Sequence, residues 1–384
     1  MRIAVLAAAD SIHSRRWVEY FAGRGHQMHW ISLARFGESI SVAAHTYGLG
    51  EYLARNYVGA NLHAARPLAT PWGLAALVQA VVRLRRIVAR VSPNLLHVHS
   101  AGTYGLLGAA ANFHPLIVTP WGSDVLLAAK SRLKQPFIRF VLQCADMITC
   151  DAYHMRDAMA RLGVDPAKMQ IVFFGTDTIK FRPHFDGGEI RRRYGLGTGP
   201  VIISTRSLLP VYDVASLISA LPVVFREVPD ARCIVVGGGS ERESLTSLAA
   251  TLGVTERVHF IGSVAGDEMP RLFGAADIYV STSLSDAGLA ASTAEAMACG
   301  LPVVVTDTAE NRLWVGDGLG GFLVPVQNPQ ALAEKIIFLA KNTQERERLG
   351  AYNRPVIEER NNYSVEMQKM ERLYATVARS DRTA

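Results

Sequence analysis

The sequence predicts an α/β protein with two domains, each a doubly wound, Rossmann-like parallel sheet covered by helices. Short apolar runs rich in β-branched residues recur along the 384 residues, and helix-compatible segments separate them. Six runs precede residue 176 and six follow it, which favours two sheets over one. The chain is also too long for one ordinary core. Because such sheets bind ligands at the carboxyl ends of their strands, we expect the domains to face a central cleft.

The strand candidates follow one another in chain order. In the first half they are RIAVLAA, MHWISL, LLHVHS, LIVTPW, MITCDA and QIVFFG. In the second half they are VIISTR, RCIVVGGG, VHFIGSV, IYVSTS, PVVVTD and GFLVPV. Pro302 is acceptable as the first residue of its strand, and Gly300 ends the helix predicted over Leu289 to Cys299. This regular alternation indicates βαβ units.

Glycine and proline mark the boundary between the two domains. The residues that cluster there are Gly175, Pro183, Gly187 and Gly188. We therefore expect an N-terminal domain over residues 1–183 and a C-terminal domain over residues 184–360. Residues 361–384 are predicted to form a closing helix. The sequence does not assign this helix to a domain, and packing against the N-terminal domain is one arrangement.

Bulk composition favours a cytoplasmic protein. Hydrophobic residues make up 49% of the chain, but no apolar run reaches the ~20 residues that span a bilayer. The opening stretch MRIAVLAAADS is short and is interrupted by Asp10, so it is a poor signal peptide. The four cysteines form no CxxC pair, which argues against zinc and redox sites. No Walker A motif is present, which argues against a P-loop nucleotidase.

Basic residues are concentrated in the first half of the chain. Residues 1–180 carry a net charge of +9 and the remainder carries −3. Two stretches, VVRLRRIVAR and KSRLKQPFIRF, mix cations with apolar residues, as helices on an anionic membrane surface do. Ordinary solvated helices look similar, so both interpretations stay open. The cations concerned are Arg83, Arg85, Arg86, Arg90, Lys130, Arg132, Lys134 and Arg139.

Three stretches of the second half resemble one enzyme family. These are SLSDAGLAASTAEAMACGLPVVVTD, the segment that begins VVGGGSERESL, and VFFGTDTIKFRP at the domain boundary. They are similar to the retaining GT-B glycosyltransferases, specifically glycosyltransferase family 4. The similarity covers nearly the whole chain and is strongest over residues 170–340. It implies two facing domains, with an acceptor on the N-terminal domain and a nucleotide-sugar donor on the C-terminal domain.

The resemblance assigns roles to three residues of the C-terminal domain. It implies that Glu295 accepts hydrogen bonds from the donor ribose, that Asp286 contacts the donor sugar, and that Arg206 binds the diphosphate. Eight residues separate Asp286 from Glu295, whereas the family pattern has seven between two glutamates. Tyr212 occupies the position of the family's second diphosphate-binding residue, a lysine. Without the resemblance, Glu295 is interpreted as a solvent-exposed charge on a helix and Asp286 as a turn residue or helix cap.

Further donor-binding residues surround these three. Arg312 follows a strand and either replaces the missing lysine or is an ordinary surface cation. Backbone amides at a helix N-terminus are suited to phosphate or sugar, and those here belong to Gly288, Leu289 and Ala290. A glycine turn follows the RCIVVGGG strand, and the resemblance implies that the base lies at the end of the next strand. These positions are Gly238, Ser263 and Val264.

The acceptor side of the N-terminal domain departs from the family pattern. Trp121 stands where the family has a histidine near the donor sugar, and it either stacks on a sugar or belongs to the core. His13, Arg15 and Arg16 follow the first strand and are expected at the cleft, although a lone histidine is more often structural. The histidines of LLHVHS lack further ligands at metal spacing, so no metal site is expected.

The resemblance implies a retaining glycosyltransferase, and we expect it to use a UDP- or GDP-linked sugar without a metal or other cofactor. The expected acceptor is a lipid-linked or cell-envelope glycan precursor, met at the inner face of a membrane. No nucleic-acid partner is expected. The alternatives are a non-catalytic subunit that binds nucleotide sugars, a GT-B-shaped sugar-nucleotide epimerase, and a dinucleotide oxidoreductase. The last is disfavoured because no GxGxxG motif follows the first strand.

Overall fold

The computed structural model describes residues 1–33, 36, 44–49, 71–126, 131 and 133–380. The chain divides into two compact units, one made of Met1–Phe174 together with the chain from Val365 onward, the other of Gly175–Ser364. The division therefore falls earlier than the boundary expected after residue 183. Among the described residues, none of the helices combines the length and the apolar character that a bilayer crossing requires.

The first unit is built on a seven-stranded parallel sheet, and described helices connect most of its successive strands. Its strands are β1 (Arg2–Leu6), β2 (Gln27–Ser32), β3 (His45–Gly48), β4 (Leu95–His99), β5 (Leu116–Thr119), β6 (Met147–Cys150) and β7 (Met169–Ile171). Its helices are α1 (Ile12–Gly23), α2 (Pro71–Val91), α3 (Thr103–Ala111), α4 (Ser123–Leu126), α5 (Gln135–Cys144) and α6 (Tyr153–Arg161). The strand order is β3-β2-β1-β4-β5-β6-β7, so the direction of winding reverses between β1 and β4.

One strand of this sheet was not predicted. The edge strand β3 pairs with β2, and its residues are mostly exposed. A mostly exposed edge strand needs no run of apolar residues, and the sequence HTYG offers none. The other six strands lie where the sequence places them. Their apolar side chains form a buried core with α2, α3 and α5, in which α2 and α5 both pack on α3.

The second unit contains a six-stranded parallel sheet of the same winding. Its strands are β8 (Val201–Ser204), β9 (Arg232–Val236), β10 (Val258–Gly262), β11 (Ile278–Ser281), β12 (Val303–Thr306) and β13 (Gly321–Val324). Its helices are α7 (Gly188–Arg193), α8 (Val214–Glu227), α9 (Arg242–Thr251), α10 (Met269–Ala275), α11 (Ala291–Ala298), α12 (Asn311–Val315), α13 (Pro329–Lys341) and α14 (Thr343–Arg360). The order β10-β9-β8-β11-β12-β13 reverses between β8 and β11. The predicted α/β class with two doubly wound parallel sheets is thus confirmed.

The last helix, α15 (Tyr363–Ser380), packs on the first unit over most of its length. The Tyr374 side chain is fully buried, and its hydroxyl oxygen accepts a hydrogen bond from Trp17 Nε1 at 2.9 Å. The same hydroxyl lies 2.6 Å from His97 Nδ1. Near the surface, Glu371 contacts both His26 and Arg24. Buried hydrogen bonds of Tyr374 and ion pairs of Glu371 near the surface therefore hold this helix against α1 and β4.

Candidate functional site

The second unit gathers polar side chains where the winding of its sheet reverses. β8 ends in Ser204 and leads to Arg206, and the neighbouring strand β11 leads to a loop that carries Asp286. Parallel strands that wind in opposite directions leave a crevice at their carboxyl ends, and ligands of doubly wound sheets bind there. Arg206 and Asp286, two of the residues that the sequence singled out for donor binding, thus follow the two strands that border this crevice.

Arg206 lies at the centre of this group and is almost completely buried. Its Nη2 lies 2.5 Å from Asp286 Oδ1, and the side chains of the pair are only 9% and 10% exposed. Its Nη1 donates to Ser292 Oγ at 3.3 Å. The ring of Tyr212 covers the guanidinium, with 4.1 Å between the guanidinium carbon and the ring centre. A carboxylate, a hydroxyl and an aromatic face therefore fix the orientation of this cation.

Two atoms of the ion pair are buried without a well-aligned hydrogen bond, Arg206 Nε and Asp286 Oδ2. The side chain of Ser283 lies close to the carboxyl of Asp286 and helps to lower its pKa. Burial raises the pKa of Asp286, and the positive charge of Arg206 opposes that rise. A buried donor and a buried acceptor without partners are costly unless a ligand satisfies them. The pair therefore combines a buried cation with a buried carboxylate at the end of the two central strands.

The glycine turn after β9 supports the segment that carries Arg206. Gly237 has φ +135°, and a Cβ there would lie 2.5 Å from the carbonyl oxygen of Arg206. The carbonyl of Gly238 accepts from the backbone N–H of Leu208 at 2.9 Å. A Cβ on Gly238 would lie 3.0 Å from Ser263 Oγ, so these two predicted donor-binding residues are neighbours. Glycine is needed here because two backbone segments approach closely.

The helix that carries Glu295 starts two residues later than predicted. Ala290 has an extended backbone, so Gly288, Leu289 and Ala290 stay in the loop before α11. No side-chain hydrogen bond caps this helix. Glu295 is the fifth of the eight helical residues and is partly buried. Burial, followed by the charge of Glu295, raises the pKa of Cys299 to about 12.

The remaining donor-side candidates lie nearer to solvent. Ser263 is exposed and Val264 partly exposed in the loop that follows β10. Arg312 is 67% exposed and forms an ion pair with Asp307 at the end of β12. None of the described ion pairs joins Arg312 to Asp286. Its side chain therefore differs from that of Arg206 in both burial and partner.

The first unit has a second polar and aromatic group at its own reversal point. Ser14 Oγ, just after β1, lies 2.8 Å from Nδ1 of His99, at the end of β4. Trp121 stacks on Phe174, with ring centres 4.7 Å apart and an interplanar angle of 5°. The ring of His13 lies 5.6 Å from Trp121 and 4.7 Å from Phe174. The sequence pointed to His13 and Trp121 but missed Phe174, whose place before Gly175 in VFFG was the available signal.

Electrostatics in this group favour neutral imidazoles. Burial, followed by the charge of His13, lowers the pKa of His99 to about 3. The pKa of His13 is also lowered, mainly because the surrounding protein excludes water and to a smaller extent because of the positive charge of Arg16. Arg15 and Arg16 lie partly exposed on α1. In the described part of the chain, no three His, Cys, Asp or Glu side chains are grouped closely enough to hold a metal ion.

Two other contact residues of the second-unit site were also missed. Ser292 contacts both the guanidinium of Arg206 and the hydroxyl of Tyr279, which lies 2.9 Å from Ser292 Oγ. Tyr279 is fully buried, and burial raises its pKa. Ser292 is one of several small residues in AASTAEA, and Tyr279 sits in an apolar strand. The sequence around Ser292 and Tyr279 therefore looks like that of ordinary core residues.

Comparison with known proteins places both units in one group of enzymes. The family model described as "Glycosyl transferase 4-like" matches residues 2–152, and "Glycosyl transferases group 1" matches residues 187–356. A GDP-mannose-dependent alpha-(1-6)-phosphatidylinositol monomannoside mannosyltransferase of Mycolicibacterium smegmatis is 29% identical, over 66% of this chain and 69% of that protein. A D-inositol 3-phosphate glycosyltransferase of Salinispora tropica is 30% identical, over 69% of this chain and 60% of that protein.

Solved structures agree on the fold. The crystal structure of Anabaena HepE in complex with UDP-glucose matches with a TM-score of 0.80 and 20% identity, over 98% of this chain and all of that one. Sucrose-phosphate synthase from Thermosynechococcus elongatus matches with a TM-score of 0.81 and 18% identity, over 99% of this chain and all of that one. Each unit has a parallel sheet in which the direction of winding reverses once, and the two family models match the two units in chain order. This chain therefore belongs to glycosyltransferase family 4 and has the GT-B fold.

Proposed function

We propose that this glycosyltransferase takes a sugar from a nucleoside-diphosphate donor and transfers it with retention of anomeric configuration. The observation that carries the proposal is the buried pair of Arg206 and Asp286 at the reversal point of the second sheet. A guanidinium suits a diphosphate, and a carboxylate oxygen suits a sugar hydroxyl. The names of relatives support a UDP or GDP donor, since HepE was solved with UDP-glucose and the mycobacterial relative is GDP-mannose-dependent.

The proposed chemistry is mainly electrostatic. Arg206 stabilises the negative charge that grows on the diphosphate as the glycosidic bond breaks. Backbone N–H groups at the uncapped start of α11 face the same charge. Glu295 accepts hydrogen bonds from the ribose, and Asp286 accepts one from the donor sugar. The departing phosphate takes the proton of the acceptor hydroxyl, so the proposal needs no protein base, metal or other cofactor.

The proposed acceptor is a lipid-linked or cell-envelope glycan precursor at the cytoplasmic face of a membrane. The name of the mycobacterial relative includes a phosphatidylinositol acceptor. In this chain, α5 and the residue pair before it expose three large apolar side chains, Leu133, Phe137 and Phe140, at 84%, 60% and 47%. Lys134 and Arg139 lie among them. A mixed apolar and basic surface of this kind is suited to anionic lipid headgroups.

The arginines of α2 are weaker evidence for a lipid-binding surface than the side chains of α5. Arg83 donates to the carbonyl of Leu49, and Arg85 donates to the carbonyls of Ala110 and Ala111 at the end of α3. Arg90 lies over the ring of Tyr47. These side chains therefore have structural partners, and α5 carries the stronger case. Lys130 and Arg132 lie outside the described residues.

The test of the proposed function is transfer and binding with a panel of UDP-, GDP- and ADP-linked sugars. We expect one nucleotide series to raise the unfolding temperature, and its sugar to appear on a lipid-linked acceptor with retained configuration. Binding without transfer would instead favour the non-catalytic subunit, and conversion of the donor to an epimer would favour the epimerase.

The Glu295→Ala variant tests the ribose contact within that experiment. We expect its donor affinity to fall by roughly 1.5–3 kcal/mol, the usual range for hydrogen bonds to a charged group. Calorimetry with the donor measures the change, and unchanged affinity would remove Glu295 from the site. The matched control is Glu334→Gln on α13, which alters another helical glutamate of the same unit.

A further inference from the structure

Two stacked aromatic rings lie at the carboxyl edge of the first sheet, and separate loops carry them. Trp121 follows β5 and Phe174 follows β7, and both side chains are partly exposed. Their ring planes are nearly parallel, with 4.7 Å between the ring centres. Parallel stacking needs both loops to be held at a fixed spacing. The backbone contacts of the two loops therefore decide whether the rings stay together.

A buried carboxylate anchors each of these loops. The backbone N–H of Trp121 donates to Asp124 Oδ1 at 3.0 Å, in the same loop. The backbone N–H of Phe173, the residue before Phe174, donates to Glu366 Oε2 at 2.8 Å. Asp124 and Glu366 are 9% and 7% exposed. Each stacked ring thus has a hydrogen bond from a backbone amide to a carboxylate at or beside its own residue.

Glu366 reaches Phe173 from a part of the chain that is 193 positions away. It lies in the first turn of α15, where the N–H groups of a helix favour a negative charge. Lys369 Nζ lies 4.0 Å from Glu366 Oε2. Burial raises the pKa of Glu366, and Lys369 and the Phe173 amide oppose that rise. These contacts offset part of the cost of burying the carboxylate.

The hydrogen bond to Glu366 fixes the backbone from which Phe174 extends. The ring of Phe173 is itself buried and lies edge-on to Tyr153, with 6.0 Å between the ring centres. Phe173 is therefore held at its side chain and at its N–H. Without the carboxylate, a buried N–H loses its acceptor, which is costly unless the segment moves to another partner. Such a movement would carry Phe174 away from Trp121.

We propose that Glu366 is a positioning residue that holds Phe174 against Trp121 and thereby shapes an aromatic surface on which the acceptor packs. The role of the acceptor rests on the proposed function, whereas the positioning itself does not. A flat aromatic surface suits a sugar or cyclitol ring, whose C–H groups form an apolar face. The ring of His13, centred 4.7 Å from that of Phe174, borders this surface and adds a polar group.

The positioning is tested by nuclear magnetic resonance of the tryptophan indole N–H groups. The chain has five tryptophans, and the signal of Trp121 is assigned by its loss in Trp121→Phe. The neighbouring ring of Phe174 displaces this signal, so Phe174→Leu defines the full effect of losing the stack. We expect Glu366→Leu to move the signal towards its position in Phe174→Leu. Glu366→Gln keeps an oxygen that accepts from Phe173 and should leave the signal in place.

Two more variants separate positioning from a general loosening of α15. Glu371→Gln weakens the contacts of the same helix with His26 and Arg24 and should leave the Trp121 signal unchanged. Glu366→Asp shortens the side chain by one methylene group and should move the signal in the same direction as Glu366→Leu. This smaller change serves if Glu366→Leu does not fold. Thermal unfolding of each protein checks that it is folded.

The consequence for the acceptor is tested by steady-state kinetics. The acceptor probes are phosphatidylinositol in vesicles and soluble inositol phosphate, with the sugar nucleotide that the donor panel identifies. We expect Glu366→Leu to raise the acceptor KM about tenfold, the effect of one hydrogen bond to a charged group, and to leave the donor KM unchanged. In a Phe174→Leu background, Glu366→Leu should cause no further increase, because it acts through that ring.

The outcomes separate this inference from the proposed function. A Trp121 signal that stays in place in folded Glu366→Leu and Glu366→Asp would overturn the positioning role. Equal increases in acceptor KM with and without the Phe174 ring would show that Glu366 acts by another route and would also overturn it. If the wild-type chain transfers sugar to neither probe, the acceptor role fails, and the indole signals still decide the positioning.

Discussion

Arg206 is a residue whose contacts bear both on stability and on the proposed function. A buried guanidinium without partners would be strongly destabilising, so its contacts with Asp286, Ser292 and Tyr212 are needed for folding. The aromatic residue at the family's lysine position therefore contacts this cation and adds no second positive charge. Because that second charge is missing, Arg206 carries the electrostatic role in the proposed chemistry.

The Arg206→Ala variant should distinguish phosphate binding from nucleoside binding. We expect UDP or GDP affinity to fall by about 1.5–3 kcal/mol, the range for a charged hydrogen bond, while the affinity for the free nucleoside stays nearly unchanged. Turnover should fall further, since negative charge grows in the transition state. Calorimetry and initial rates measure these changes, and Arg312→Ala, at an exposed cation, is the control. Equal losses for nucleoside and diphosphate would mean that Arg206 is structural.

Buried histidines make the stability of the first unit depend on pH. The pKa of His99 is lowered to about 3, and that of His97 is lowered well below its usual value, chiefly by burial. In the unfolded chain both take up a proton near pH 6.5. In the folded state the two buried histidines stay neutral at that pH. Their contribution to the free energy of unfolding is therefore complete above about pH 6.5 and is lost as the pH falls from about 6.5 towards 3.

We therefore expect the free energy of unfolding to fall between pH 6.5 and 5, by up to roughly 1.4 kcal/mol per pH unit for each of these histidines. Urea unfolding at several pH values measures the slope. His99→Gln should show a shallower slope, because one of the two groups no longer titrates. His184→Asn, at an exposed position with positive φ that asparagine tolerates, is the control. A slope for His99→Gln equal to that of the wild type would contradict this account.

At the scale of elements, the closing helix α15 joins the first unit through a chain of buried polar groups. Trp17 Nε1 donates to the Tyr374 hydroxyl, which is then free to donate to His97 Nδ1. His97 Nε2 can in turn donate to Thr119 Oγ1 at 2.6 Å. Each of these side chains forms a hydrogen bond with the next one, so the network links α15 to α1, β4 and β5. Half-satisfied networks of this kind are costly, which makes the chain sensitive to the loss of one hydroxyl.

Tyr374→Phe tests this link. The change leaves Trp17 Nε1 and His97 Nδ1 buried without their partner, so we expect it to lower the free energy of unfolding by about 1–3 kcal/mol. Urea unfolding measures the loss, and limited proteolysis should cut the C-terminal helix earlier. Tyr352→Phe, at a tyrosine that is 37% exposed on α14, is the control. If both variants were equally stable, the hydrogen-bond network would not anchor the helix.

At the scale of the whole molecule, charge and exposed apolar side chains are unevenly distributed. The first 180 residues carry +9 and the others −3. The exposed residues Leu133, Phe137 and Phe140 belong to the basic part of the chain. Cations near an anionic surface attract it by about 1 kcal/mol each, and the attraction decays within a Debye length of about 8 Å at physiological salt. The combination favours a salt-sensitive, peripheral contact with lipid.

Co-sedimentation with liposomes tests this contact. We expect pelleting to increase with the fraction of anionic lipid and to decrease at high salt. Replacing Phe137 and Phe140 by serine should weaken it, because the apolar side chains no longer enter the headgroup region. Ile179→Ser removes an apolar side chain that is 84% exposed in the second unit and is the control. Negligible pelleting under all conditions would favour a soluble sugar or another small acceptor.

Periodicity along the chain determined the fold class and the edge at which the candidate site lies. Buried parallel strands need continuous apolar runs, and their carboxyl ends carry the polar residues, so both features can be read from neighbours in sequence. The same reasoning missed β3, an edge strand whose residues are mostly exposed. It also started α11 too early, because the amino-acid composition does not show that Ala290 has an extended backbone.

The partners of the site residues were decided only by the tertiary structure. Arg206 meets Asp286 across 80 positions of sequence, and Trp17 meets Tyr374 across 357. Such contacts depend on which strands are adjacent and on how helices cross them, and local patterns carry no record of either. Local patterns in the sequence thus indicate the candidate residues, whereas the burial and pairing of those residues come from the packing of elements that are distant along the chain within each unit.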